Sequence, residues 1–552
     1  MYSCIKNVNT VTSLLIAYGI EEAVVCPGSQ NAPLVHNLNA CGKIRCQPVT
    51  DERSAGFVAL GMAIRTERPV AVCVTSGSAL LNLLPAVAEA YYQQVPLVIL
   101  SADRPQAWID QLDGQTLPQA DALGRLVRYA VNLPEPNDET QSWHCNRLVN
   151  EALMAATHEV KGPVHINLPI SRDLHNFKQI ELPRERKIFS SGGEKITPGT
   201  EHPVFEAIGK ARRKMIVIGQ LPRSTAKAIT PLLKKLASQY TILHDCLGTE
   251  AFLPFPIDTL LQNGNNLPLP DFILFLGRNL VSKPLKEWMR RQEADFWMAT
   301  STGKVEDISG CLSGLVETEA EDLLTAMASL PQNCDTAFIQ AWYGLLKKAQ
   351  THIENVPLPW SQAKVVRTFE QRLNSQSAKD TVCYANSSAV RLGNLFARQH
   401  RQCNRGVNGI EGCLSTAVGM ALAATQERTF CVIGDLSFFY DQNALWVQGL
   451  GPNMRVLLLN NGGGGIFTRF DGLRQSQARE RLIMACHQTS AKGICESYGI
   501  DYRSVYAENT LTEGLDFLMQ TDAEGPLLLE VFTQMDEDQE ALNLLNRIEH
   551  KE

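Results

Sequence analysis

The feature that most constrains the fold is a recurring alternation of short apolar, β-rich runs with longer helix-like stretches. Glu22 to Cys26, Val70 to Val74, Leu97 to Ser101 and Val164 to Asn167 are such runs, most of them closely followed by Gly or Pro. Short runs of this kind suit parallel strands covered by helices on both faces, with loops at a shared carboxyl edge. The pattern resumes at Met215 to Ile218, Thr241 to His244, Phe272 to Leu276 and Phe296 to Ala299. It returns at Val382 to Ala385, Thr429 to Ile433, Val456 to Leu459 and Leu527 to Phe532. A polar stretch carrying Pro183, Ser190, Ser191, Gly192, Gly193, Pro198 and Gly199 separates the first two series. A proline-marked link, Val356 to Trp360, precedes the third, and Ser361 is placed to cap the next helix. The expected architecture is α/β, with three parallel-sheet domains at 1–181, 203–355 and 356–552 and a linker at 182–202. The first and third series share a similar strand-loop-helix rhythm.

At 552 residues the chain exceeds one ordinary core and has room for about three or four units of roughly 150 residues. Apolar stretches such as Val95 to Leu100 are strand-sized, far short of the ~20 residues of a membrane-spanning helix, so no membrane partner is expected. The N-terminal patch Leu14 to Ala17 runs into Glu21 and Glu22, without the basic start and long apolar run of a signal peptide, and the expected location is cytoplasmic. Fifteen cysteines are scattered, none in a CxxC pair, and Cys26, Cys73 and Cys431 lie in strand-like runs, which points to reduced core thiols. The net charge of −7 argues against a nucleic-acid surface, and any anionic substrate would need a local cluster of cations.

Chemistry concentrates in two segments. Cys431-Val-Ile-Gly-Asp-Leu-Ser437 ends one apolar run, and 26 positions after Asp435 comes Asn461, in Leu457-Leu-Leu-Asn-Asn-Gly-Gly-Gly-Gly465. Both leave the carboxyl end of a strand, where a carboxylate and an amide oxygen can meet, and the glycines let the main chain approach a ligand. Mg²⁺ takes six hard oxygens, usually few from protein. Asp435, the Asn461 amide and the Gly463 carbonyl would supply three, leaving two diphosphate oxygens and a water. Taken alone, the two segments also read as ordinary strand-end turns rich in Gly and Asn.

The pair resembles the signature of thiamine-diphosphate-dependent enzymes. A thiamine enzyme also needs a carboxylate in a dry pocket, where its pKa rises. Glu52 fits by position, after the extended run Ile44 to Thr50 and before the helix-like Ser54 to Ala63. Further matches narrow the resemblance, over nearly the whole chain, to the carboligase branch of menaquinone biosynthesis. They are Pro27-Gly-Ser29, Asp51-Glu-Arg53, Thr75-Ser-Gly77, Ala102-Asp-Arg-Pro105, Asn386-Ser387 with Arg391, Arg405-Gly406 with Gly409-Ile-Glu-Gly412, and Gly434-Asp-Leu-Ser437. Leu436 matches this branch, where most thiamine decarboxylases carry Gly.

The resemblance implies pyrimidine-binding, central and diphosphate-binding domains, thiamine diphosphate, and Mg²⁺ (or Mn²⁺) on Asp435, Asn461 and Gly463. It implies that Glu52 is the catalytic carboxylate against N1′ of the cofactor. Ser76, Gly77, Gly409, Ile410, Gly434, Leu436, Ser437 and Gly464 would be further cofactor contacts, with Ile410 propping the bent form. Ser29, Arg104, Gln115, Ser387, Arg391, Arg405 and Phe467 would contact substrate, with Lys283 of the central domain a weaker candidate. The implied reaction is a transfer: 2-oxoglutarate loses CO₂ and its succinyl-semialdehyde carbanion adds in conjugate fashion to isochorismate. The implied assembly is a homodimer or homotetramer with the active site between subunits. Two departures are Gln30, where the resemblance calls for Arg, and the glycine run 462–465, expected to loosen the loop over the diphosphate. The rival readings are an acetolactate-synthase-like 2-oxo-acid carboligase and a non-catalytic thiamine-fold binding protein. A plain NAD enzyme is disfavoured, because Gly219 to Pro222 lacks GxGxxG.

Overall fold

Most of the apolar runs become buried parallel strands. β1 (Glu22–Val25), β2 (Arg45–Pro48), β3 (Val70–Val74), β4 (Leu97–Asp103), β5 (Tyr129–Asn132) and β6 (Val164–Pro169) form one sheet in the order β2-β1-β3-β4-β6-β5. β7 (Lys214–Ile218), β8 (Thr241–His244), β9 (Phe272–Leu276), β10 (Asp295–Thr300) and β11 (Leu312–Glu317) form a second, ordered β11-β10-β9-β7-β8. β12 (Thr381–Tyr384), β13 (Thr429–Gly434), β14 (Met454–Asn460), β15 (Asp501–Val505) and β16 (Leu527–Phe532) form the third, ordered β12-β13-β14-β16-β15. The computed structural model describes residues 1–158, 160–171, 173–188, 197, 199, 201–250, 256–263, 267–375, 380–473 and 475–548. Every strand pairing among them is parallel, so each sheet sends its loops to one carboxyl edge. Of the expected linker, residues 189–196, 198 and 200 lie outside the described residues. Its described part is tied to the first domain, with Glu185 accepting from Thr10 and Asn146, and Ile188 N–H donating to Asn150.

The third sheet gains a member from one parallel bridge between Cys383 and Gln402. Tyr384 N–H donates to Gln402 O at 2.8 Å, and Gln402 N–H to Val382 O at 2.9 Å. With that segment counted, the third sheet repeats the strand order of the first, so the shared rhythm is a shared topology. The helices in equivalent places, Glu52–Thr66 and Cys413–Ala423, pack on each other. Ala59-Leu-Gly-Met-Ala63 and Ala417-Val-Gly-Met-Ala421 carry the crossing. A Cβ on Gly61 would stand 2.0 Å from Thr416 O, and one on Gly419 would stand 2.1 Å from Val58 O. This reciprocal contact needs glycine on both helices, and around it one hydrophobic core runs unbroken from the first sheet into the third. The central sheet packs a separate cluster on each face.

Candidate active site

Because β13 and β14 are neighbours in register, Gly434 and Asn461 emerge side by side. Asp435 is 3% exposed and turns its carboxylate onto the glycine run. Oδ2 accepts the N–H groups of Gly462 at 2.8 Å and Gly463 at 2.9 Å, while Oδ1 accepts that of Leu436 at 2.7 Å. Burial raises the pKa of Asp435, and these N–H groups, with His487 at 3.5 Å, pull the other way. The glycines are tied rather than loosened: a Cβ on Gly462 (φ +80°) would meet His487 O at 2.9 Å, and one on Gly463 (φ +150°) would meet Met484 O at 2.8 Å. Gly464 N–H also donates to Met484 O at 2.7 Å, and His487 N–H to Gly462 O at 2.9 Å. The expected looseness of this loop is corrected by that close approach, which only glycine permits.

Asn461 donates its Nδ2 to Asp538 Oδ2 at 2.8 Å, which leaves its amide oxygen as the acceptor side. The Gly463 carbonyl takes the Gly465 N–H at 2.9 Å with one of its two lone pairs. The carboxylate, the amide oxygen and the carbonyl oxygen follow the ends of two neighbouring strands, with no Lys or Arg paired to Asp435 among the described residues. This oxygen-only donor set fits a hard divalent cation such as Mg²⁺.

The loop 404–412 lies beside these residues. Ser437 donates its hydroxyl to the Ile410 carbonyl, and Asn386 donates Nδ2 to Asn404 O at 2.6 Å and to Gly409 O at 2.7 Å. Arg405 gives Nη1 to Asn386 Oδ1 at 3.1 Å and Nη2 to Leu280 O of the central domain at 3.3 Å. Ser387 sits at φ +72°, just before the helix Ser388–Phe396 that carries Arg391. Arg391 acts electrostatically on the buried Asp258 of the central domain. Lys283 opens the helix Lys283–Met289, with its side chain 74% exposed and 3.5 Å from Glu287. The loop before it is held by Asp245, which accepts the Val281 N–H and the Asn394 amide; burial pushes this carboxyl up to about 6. Phe467, in the turn after the glycines, lies 6.5 Å from the Phe470 ring.

A second group gathers at the carboxyl edge of the first sheet. β1 and β3 end so close that a Cβ on Gly28 would stand 2.4 Å from Thr75 Cβ, and Ser29 and Ser76 are the next residues of these two segments. Gly77 (φ +84°) backs onto the Gln115 main chain, 3.2 Å from where its Cβ would be, and its N–H donates to Gln119 at 2.6 Å. Arg104 lies 3.9 Å from Asp113. Gln30 is 4% exposed and donates Nε2 to Asp103 O at 2.8 Å and Ile170 O at 3.0 Å, so it clamps the ends of β4 and β6 behind Arg104. Asp51 caps the helix Glu52–Thr66 by accepting from Arg53 N at 2.9 Å and Ser54 N at 3.2 Å, which sets Glu52 at its first position. Glu52 accepts from Asn82 at 3.2 Å and is partly exposed, so one chain does not build the dry pocket expected around it.

The candidate residues therefore fall into two groups. Glu52, Gly77 and Arg104 bond to first-domain partners, whereas Asp435, Ser437 and Asn461 bond to third-domain partners. Sequence reasoning missed Asp538, which orients Asn461, and His487, which lies over Asp435. Asp538 sits in an acidic run that reads as an ordinary helix start, and neither residue is near its partner in sequence.

Two family models match this chain. One, described as "Thiamine pyrophosphate enzyme, N-terminal TPP binding domain", covers residues 6–123, and its C-terminal TPP binding counterpart covers residues 387–531. Glu52, Gly77 and Arg104 fall within the first of these segments and Asp435, Ser437 and Asn461 within the second, and the class is that of the thiamine pyrophosphate enzymes, with thiamine diphosphate as cofactor. A 2-succinyl-5-enolpyruvyl-6-hydroxy-3-cyclohexene-1-carboxylate synthase of Phocaeicola vulgatus is 41% identical over 98% of this chain and 97% of its own. Proteins of the same name from Bacteroides fragilis (40% identical, 98% of both chains) and Desulfotalea psychrophila (34% identical, 96% of this chain and 98% of its own) are also similar. The chain belongs to the 2-succinyl-5-enolpyruvyl-6-hydroxy-3-cyclohexene-1-carboxylate synthase family.

Proposed function

We propose that this chain is a transferase that removes CO₂ from 2-oxoglutarate and adds the remaining four-carbon unit in conjugate fashion to isochorismate, in menaquinone biosynthesis. The observation that carries the reading is the Asp435 carboxylate seated on the Gly462 and Gly463 N–H groups, with the Arg405 loop joined to it through Ser437. Bound thiamine diphosphate supplies a nucleophilic C2 and an electron sink for the carboxylate's departure. Asp435, the Asn461 amide oxygen and the Gly463 carbonyl hold Mg²⁺ or Mn²⁺. Gly434, Leu436, Ser437 and Gly464 line the diphosphate, while Ser76, Gly77, Gly409 and Ile410 flank the rest of the cofactor. Glu52 shares a proton with the pyrimidine nitrogen. Arg104, Arg391 and Arg405 meet substrate carboxylates by charge-assisted hydrogen bonds, with Ser29, Gln115, Ser387, Phe467 and Lys283 at the margins.

Two copies supply one complete site in this reading, Glu52 from one and Asp435 from the other. Support comes from large apolar side chains left bare near both half-sites. Leu81, Trp108 and Leu112 are 42%, 56% and 103% exposed, and Ile410, Phe470 and Leu482 are 36%, 44% and 72% exposed. Water-exposed apolar surface of this kind calls for a partner, and a symmetric dimer is the simplest. No helix among the described residues is long and apolar enough to cross a membrane, and the reading places the enzyme in the cytoplasm. The test is an assay with thiamine diphosphate, Mg²⁺, 2-oxoglutarate and isochorismate that follows isochorismate loss. Turnover of pyruvate in place of that pair would assign the chain to an acetolactate-synthase-like reaction.

A further inference from the structure

The loop carrying Arg405 and Ile410 is fastened from a different domain by one buried carboxylate. Glu89, on the first-domain helix Leu84–Gln93, is 3% exposed. Its Oε1 accepts the N–H of Gly406 at 2.7 Å, and its Oε2 accepts the N–H of Val407 at 2.7 Å. Gln93, one turn further along the helix, adds its Nε2 to Oε1 at 2.6 Å. Gly406 makes the approach possible, because a Cβ there would stand 2.9 Å from Glu89 O and 3.1 Å from the carboxyl group. Burial pushes the Glu89 carboxyl above the usual range, the two N–H groups and Gln93 pull it down, and the nearby acid Glu411 adds to the rise.

Among the described residues no cation pairs with this buried carboxylate, which makes it a poor source of stability, so its use lies in the geometry it imposes. A carboxylate with one oxygen on each of two successive N–H groups fixes both the position and the tilt of a peptide. Here that peptide directly follows Arg405 and lies three residues before Ile410. The other restraints on the loop act at different points. Asn279 of the central domain donates to Arg405 O at 2.9 Å, and Asn386 holds Asn404 and Gly409 from the third. All three domains thus hold the loop, the central one also through Leu280 O on Arg405 and the third also through Ser437 on Ile410 O, and Glu89 is the first domain's hold.

We propose that Glu89 is a positioning residue, which sets the Arg405 guanidinium where the anionic substrate binds and Ile410 where the cofactor rests. The proposal builds on the assignment of Arg405 to substrate binding made above. The test compares wild type, Glu89→Gln, Glu89→Asp, Gly406→Ala and Arg405→Ala by steady-state kinetics with each substrate varied in turn, alongside thermal unfolding. Glu89→Gln replaces one accepting oxygen with a donor facing an N–H, so the peptide tilts away. KM for at least one of the two anionic substrates, 2-oxoglutarate or isochorismate, is expected to rise about tenfold, the size of one charge-assisted hydrogen bond, with kcat changed much less. Gly406→Ala is expected to raise KM in the same way while leaving the carboxylate in place, and Glu89→Asp to recover part of the loss. Wild-type KM in both Glu89→Gln and Gly406→Ala, with Arg405→Ala impaired, overturns the positioning role and leaves the site reading standing. A fall in melting temperature with KM unchanged overturns it too, as a purely structural role. Unchanged KM in Arg405→Ala instead removes the site reading itself.

Discussion

At the scale of single residues, the proposed function divides the chemistry between Glu52 and Asp435. Glu52 stands at a helix start, partly exposed, whereas Asp435 is almost wholly buried against main-chain N–H groups. Glu52→Gln is expected to bind thiamine diphosphate normally and to lose activity by about a hundredfold or more, the range for general acid–base groups. Full activity would contradict the role. Asp435→Ala should abolish Mg²⁺-dependent cofactor binding measured by calorimetry, without reference to turnover. Asp538→Ala tests the amide orientation. With the Nδ2 partner gone, the Asn461 side chain can rotate its oxygen away, and metal-dependent affinity for the cofactor should fall about ten- to hundredfold. An affinity equal to wild type would show that the Asn461 amide is oriented by other means.

The helix crossing at Gly61 and Gly419 is the element on which the pairing of the first and third sheets depends. A Cβ at either place would overlap a main-chain oxygen of the other helix, an atom that cannot swing aside as a side-chain tip can. Gly61→Ala and Gly419→Ala are each expected to destabilise the chain by about 2 kcal/mol or more, seen as a lowered midpoint in chemical denaturation. Because the contact is reciprocal, the two variants should cost similar amounts, and a neutral result at either site would refute the close crossing. Among strands, the apolar runs mark the buried ones and pass over β2, β5, β11 and β15. These four are sheet edges with partly or fully exposed residues, so the sequence there keeps polar residues and gives no continuous apolar run. The edge strands β8 and β12 are legible because neighbouring chain segments bury them as well.

At the scale of the whole molecule, assembly and pH response follow from what is left bare and what is enclosed. Size measurement by light scattering is expected to give a dimer or tetramer at micromolar concentration; a monomer with full activity would sink the shared-site reading. Asp245 and Asp441 are fully enclosed, and burial raises each pKa to about 6. An unfolded Asp loses its proton near pH 4. These two groups therefore add stability below about pH 4 that is lost as pH rises to about 6. The melting temperature of Asp441→Asn relative to wild type should accordingly rise between pH 4 and 6 and stay level above pH 7. The opposite trend would mean that Asp441 is held ionised.

The sequence by itself determined the three α/β series, the parallel strands and the placing of Asp435 and Asn461 just after neighbouring strands, because these depend on local pattern. A run of apolar residues closed by glycine declares a buried strand wherever it occurs, and a carboxylate at such an end faces the same edge as its neighbours. The tertiary structure alone decided the partners drawn from far along the chain: Glu89 on Gly406, Asp538 on Asn461, Gln30 on the ends of β4 and β6, and Gly61 against Gly419. Each is a polar or small residue that reads as ordinary surface, cap or helix filler in sequence. What gives it meaning is the atom it meets, and that atom is brought near only by packing between sheets.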